Sequence, residues 1–180
     1  MLRSEADLAV FYYHLAVREI ERVTGGQVTL VIVHRYAGGM KGERTTRSGW
    51  RVPGTEIASV WLVFRGKSHE LPLGGPHKIL IDYLCWHCAG KGQSAAEIEA
   101  GLNEELFYVH HASAAKRRST VLARSSRTNV RKQVERIRNV MEDLFRSEYL
   151  PLNAKEILRS EPTSTREVKY SIRAKPIWQY

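Results

Sequence analysis

The chain has 180 residues, 43% of them hydrophobic and 26% charged, and a net charge of +9. Those proportions fit a globular protein with its own core and exclude a disordered chain. No apolar stretch nears the roughly 20 residues a membrane span needs, and two cysteines cannot make a disulfide framework.

Residues 5–23 read as a helix, with Leu8, Phe11, Tyr12, Leu15, Val17 and Ile20 near helical spacing and Thr24-Gly25-Gly26 as its stop. Glu5 and Asp7 precede the apolar positions, so the start does not read as a signal peptide. A cytoplasmic, reduced setting is expected. The β-branched run 28–33 reads as a strand. Residues 37–56, with five glycines and Pro53, read as a long loop or extended hairpin. A second strand is expected over 58–64. Arg65-Gly66-Lys67 then turns the chain into a short return strand over 68–73.

Gly74-Gly75-Pro76 opens a helix whose apolar face is Ile79, Leu80, Tyr83, Leu84 and Cys88. Ser94-Ala95-Ala96-Glu97 is a capping box: the Ser caps the next helix and Glu reaches back three positions later. That helix is expected to be short, using Ile98 and Leu102; 103–125 gives no clear pattern, Leu106-Phe107-Tyr108-Val109 being apolar and a basic, Ser/Ala-rich loop expected after it. The strongest helical signal covers 127–146. Val130, Val134, Ile137, Met141, Leu144 and Phe145 form one stripe, and Thr128, Lys132, Glu135, Arg136 and Asn139 lie opposite it. Arg131 and Arg138 flank the stripe. Residues 153–160 read as a short helix or turn leading into a strand, 162–165 as a turn, and 168–173 as a strand by alternation.

The charge has a place. Residues 1–112 carry twelve Lys/Arg against twelve Asp/Glu, whereas 113–180 carry sixteen against seven. Nine basic residues fall within 116–138: Lys116, Arg117, Arg118, Arg124, Arg127, Arg131, Lys132, Arg136 and Arg138, against the single acid Glu135. A field this concentrated attracts polyanions. Anionic lipid fits less well, because the run lacks a Trp/Phe-rich apolar face.

Other motifs carry less chemistry. Cys85 and Cys88 have metal-ligand spacing but no second ligand pair, and Cys inside an amphipathic helix is a small apolar filler. Gly38-Gly39-Met40-Lys41-Gly42 lacks the Ser/Thr and spacing of a phosphate-binding loop. No nucleophile elbow, His-Glu-x-x-His or paired-carboxylate motif is present, so no enzyme, metal or cofactor is expected.

The order of sheet, helix, capped helix, basic loop, long basic helix and hairpin resembles the winged-helix effector domain of the OmpR/PhoB-type transcription regulators. The run Val130-Arg131-Lys132-Gln133-Val134-Glu135-Arg136-Ile137-Arg138 is similar to that family's recognition helix, and Tyr170-Ser171-Ile172-Arg173 to its last strand. The likeness covers about 58–175. It departs from the family in lacking a receiver segment, in a longer stretch before the recognition helix, and in a hairpin turn without glycines.

The expected fold is therefore α+β: a winged helix-turn-helix with an N-terminal antiparallel sheet, an added N-terminal helix and a C-terminal hairpin wing. Residues 1–57 form a helix-strand extension and 58–180 the DNA-binding unit. The N-terminal helix either covers the sheet or serves as a homodimer surface.

The resemblance implies a regulator of double-stranded DNA, with helix 127–146 in the major groove. Thr128, Asn129, Lys132, Gln133 and Arg136 are expected to read bases. Arg117, Arg118, Arg124, Arg127, Arg131, Arg138, Arg166, Lys169 and Arg173 are expected to meet phosphates. The rival expectation is a winged helix that binds an acidic protein partner, since fold does not fix function. RNA is a third: it calls for exposed aromatics, and within 113–148 only Phe145 is aromatic, on the buried stripe.

Overall fold

A computed structural model describes residues 27–36, 50, 55–109, 127–163 and 167–180, the side chains of 104–109 and 127–129 excepted. The expected helix over 5–23 lies outside them, as does almost all of the loop 37–56.

Strand β1 (Thr29–Tyr36) pairs antiparallel with β2 (Thr55–Phe64), and β2 with β3 (Lys67–Glu70). The β2–β3 turn is two residues long, with Arg65 at φ 47° and Gly66 at φ 76°. Two successive left-handed residues match the right-handed twist of a tight hairpin. A register shift between Val33 and His34 kinks β1 against β2. Alternation then sorts the side chains. Leu30, Ile32, Val60, Leu62 and Phe64 enter the main core, while Val31 and Val63 form a smaller cluster with Val33, Trp61 and Ile177.

Helix α1 (Gly75–His87) starts with proline in its first turn and buries Leu80, Ile81, Tyr83, Leu84 and Cys85. Strand β4 (Gln93–Ser94) leads directly into α2 (Ala95–Val109). The capping box forms: the Ser94 N–H donates to Glu97 Oε2 at 2.6 Å, and the Glu97 N–H to Ser94 Oγ at 3.3 Å. Helix α2 is longer than expected. No glycine or proline interrupts 103–109, so the helix continues through a stretch whose aromatic and acidic residues hid its period.

Helix α3 (Arg127–Ser147) buries Val130, Val134, Ile137, Met141 and Phe145 as the stripe requires, with Leu144 half-buried. Its end is a Schellman motif: Leu150 N–H donates to Phe145 O at 2.8 Å and Tyr149 N–H to Arg146 O at 3.4 Å. Tyr149 takes the left-handed position at φ 52°.

The short α4 (Ala154–Ile157) is capped by the Asn153 side chain. Strands β5 (Leu158–Pro162) and β6 (Val168–Ile172) then form an antiparallel hairpin, closed where the Thr163 N–H donates to Glu167 O at 2.7 Å. The hairpin joins β4 in a three-stranded sheet, order β4-β6-β5.

Two strands were not expected, the two-residue β4 and, of more consequence, β7 (Lys175–Gln179). The latter follows β6 after two residues and lies parallel to β1, giving a four-stranded sheet of order β3-β2-β1-β7. The sheet is therefore mixed rather than antiparallel throughout. Pro176 is tolerated because β7 is an edge strand.

The α+β class stands. The boundary expected between 57 and 58 falls inside β2, and Leu30, Ile32 and Trp50 share one core with Leu80, Ile98, Ile137 and Ile172.

A buried carboxylate joins these parts. Asp82 of α1 is wholly buried and accepts the indole N–H of Trp50 at 2.9 Å and of Trp178, on β7, at 2.7 Å. His34 Nε2 of β1 stands 3.9 Å from the same carboxylate, and its ring faces Tyr180 at 5.0 Å. Buried polar groups at this spacing fix the position of β7 on α1 through donors that must point inward.

Candidate nucleic-acid interface

Helix α3 is held on three sides. It packs on α2, α1 and α4, and its apolar stripe is part of the main core. The side turned to solvent carries Arg131, Lys132, Glu135, Arg136, Asn139, Asp143 and Arg146, all exposed.

Arg138 departs from expectation. It is 4% exposed. Its Nε and Nη2 donate to the Leu158 carbonyl at 2.9 and 2.6 Å, Nη2 also donates to Ser160 Oγ at 3.0 Å, and Nη1 reaches Glu135 Oε1 at 2.7 Å. A guanidinium can stay charged in such a place only because its donors are met. Arg138 therefore pins β5 to α3 and is not available to a phosphate.

Gln133, expected among the base readers, is 7% exposed and sits on the opposite edge of the buried stripe. It too is withdrawn from the outer surface.

The Arg138 bond changes the electrostatics of the outer side. Glu135 is the acid nearest the exposed cations in sequence, and its carboxylate is committed to Arg138. Arg131, Lys132 and Arg136 thus face solvent with the adjoining negative charge already matched. Further along, Asp143 and Arg146 stand 3.7 Å apart, both exposed, and nearly cancel.

The cations lie between two neighbours. On one side is β6: burial raises the Tyr170 phenol, and the charges of Arg131 and Arg138 oppose that rise. On the other is the first turn of α1. There burial, and after it the Arg136 charge, holds the His77 imidazole below its usual range. Burial is the larger cause of both shifts, and the α3 charges are the smaller one: opposing it at Tyr170, adding to it at His77.

The remaining expected residues divide. Arg127, Thr128 and Asn129 are in the first turn of α3, with side chains outside the described residues. Arg117, Arg118, Arg124 and Arg166 lie outside them altogether.

Lys169 and Arg173 alternate with Tyr170 and Ile172 and so project from the other face of the hairpin. Lys169 is half-buried beside Glu97. The Glu97 carboxyl is held below its usual range chiefly by the Ser94 hydrogen bonds, with Lys169 and Lys91 adding to the effect. The hairpin also carries acids: Arg159 stands 3.7 Å from Glu161. Arg173 is exposed. Lys169 and Arg173 therefore do not share a face with Arg136.

Cys85 and Cys88 are free thiols. Burial pushes Cys85 well above the ordinary thiol range, and Cys88 up to about 12. Both stay protonated at neutral pH, which suits packing and not metal or redox chemistry. Among the described residues no three His, Cys, Asp or Glu side chains gather as a metal would require. No helix among them is long and apolar enough to cross a membrane.

No family model matches the chain, and neither a curated protein nor a solved structure matches it.

Proposed function

We propose that the chain is a winged-helix protein that binds double-stranded DNA as a transcription regulator. Helix α3 is the recognition helix, with the β5–β6 hairpin as its wing. The observation that carries this reading is the commitment of Glu135 to Arg138. It leaves Arg131, Lys132 and Arg136 unopposed by it on the solvent side of a rigid helix. A groove-reading helix needs one side locked for rigidity and the other furnished with long donors.

In this reading Lys132 and Arg136 meet base edges, with Thr128 and Asn129 at the start of the same helix. Arg131 meets a phosphate, joined by Arg127 and by Arg117, Arg118 and Arg124 of the preceding basic stretch. Arg138 serves from within, by fixing the angle between helix and wing. Of the wing cations, Lys169 and Arg173 lie off the face of Arg136 and are left out of this contact.

The test is binding of the full chain to duplex DNA across a salt series. Neutralising about six phosphates gives a slope of log K against log salt of roughly −5. Lys132→Ala with Arg136→Ala is expected to reduce discrimination between sites, and Arg117→Ala with Arg118→Ala to weaken all duplexes alike. An affinity indifferent to salt, or none, overturns the reading and leaves an acidic protein as the partner to seek.

A further inference from the structure

We infer that Asn139 is a further base-reading position in line with Lys132 and Arg136, and that these three select two guanines and one adenine in adjoining base pairs. This rests on the DNA-binding reading of α3 and adds the chemistry of what it reads.

Successive helical residues turn about 100° and rise about 1.5 Å, so Lys132, Arg136 and Asn139 fall within a strip about 60° wide and about 10 Å long. All three are exposed, and the strip lies opposite buried Val130, Val134, Ile137 and Met141. At about 3.4 Å per base pair, that length spans about three steps of a duplex.

Burial removes the neighbouring candidates. Gln133 and Arg138 are inside, and Glu135 is held by Arg138. Arg131 is set at the edge, toward Tyr170. Asp143 continues the strip, but it is paired with Arg146 at 3.7 Å and the two leave no net positive charge there to draw a polyanion. The part that a polyanion can approach therefore ends at Asn139.

The donor inventory then selects the bases. Lys and Arg side chains only donate, and guanine alone offers two acceptors, O6 and N7, in the major groove. Asn both donates and accepts, which matches adenine N7 and N6.

The experiment is selection from random duplex DNA with the full-length chain and with Asn139→Ala, whose exposed position leaves folding intact by circular dichroism. The wild-type chain is expected to enrich two guanines and an adenine within about four base pairs. The Asn139→Ala chain is expected to lose preference at the adenine alone, by about tenfold. Asp143→Ala is expected to leave the selected sequence unchanged. Enriched sites that lack the adenine, or that Asn139→Ala does not alter, overturn the inference while DNA binding stands. Failure of the wild-type chain to enrich any duplex removes the DNA-binding reading, and this inference with it.

Discussion

A methyl group on Gly101 would lie 2.0 Å from the hydroxyl oxygen of Tyr83. Here the Tyr83 side chain of α1 lies against the α2 backbone, and only a glycine fits beneath it. The Tyr83 ring cannot swing aside: it stacks on His87 at 4.4 Å, meets Trp50 edge-on at 5.4 Å and donates its hydroxyl to Gln93 at 3.1 Å. Glycine to alanine inside a helix ordinarily gains about 0.5–1 kcal/mol. Gly101→Ala is expected to do the reverse, costing about 1–3 kcal/mol by overpacking, as read from urea unfolding. Adding Tyr83→Phe should recover part of the loss.

Two arginines, two positions apart on α3, should behave oppositely. Arg138→Ala leaves the Leu158 carbonyl and Ser160 hydroxyl without their donor, and about 3 kcal/mol of stability should go with it. Arg136→Ala, on the exposed side, should change stability by about 0.5 kcal/mol at most. The same Arg136→Ala change should let the His77 imidazole titrate at higher pH, because it removes the second of the two causes that depress it. A proton NMR titration of His77 reads this directly.

The α2 cap should make stability depend on acid. The Glu97 carboxyl is depressed in the folded chain, so its contribution is present above the unfolded pKa and is lost as pH falls through the folded one. Ser94→Ala is expected to cost about 1 kcal/mol at neutral pH. The gap between wild type and Glu97→Gln should narrow as the solution is acidified through that range, in thermal melts at stepped pH.

Tyr149 is 93% exposed yet occupies a left-handed position that glycine fills more easily. Tyr149→Gly is expected to raise stability by about 1 kcal/mol, since it relieves strain and removes almost no packing. Thermal unfolding checks the sign.

Asp82→Asn should be costly despite its size. The carboxylate accepts two indole N–H groups, whereas an amide would turn its own NH2 toward one of them. A loss of about 2–4 kcal/mol is expected, with altered tryptophan emission.

Much of this fold is written in local pattern. The stripe on α3 and the Ser94–Glu97 box are periodic or short-range signals, and both appear in the structure where the residues place them. Arg138 and Gln133 are different. Each lies at a margin of the stripe, where period alone does not separate inside from outside. What buries Arg138 is a carbonyl twenty positions later in the chain, on a strand whose placement no helical wheel contains. β7 was illegible for a related reason. Five residues with a proline carry little strand signal, and their partner lies near the other end of the sequence. Asp82 looks like an ordinary helical acid until Trp50 and Trp178 are brought to it from distant segments.

The parallel pairing of β7 with β1 also has a consequence for biosynthesis. β1 leaves the ribosome well before β7, and the edge that β7 takes up waits for it until some 140 further residues have been translated. The β5–β6 hairpin is complete only just before that moment, since β6 runs into β7 after two residues. A nascent chain therefore completes its sheet last and slowly, and a chaperone that shields β1 in the interval would have the most to protect.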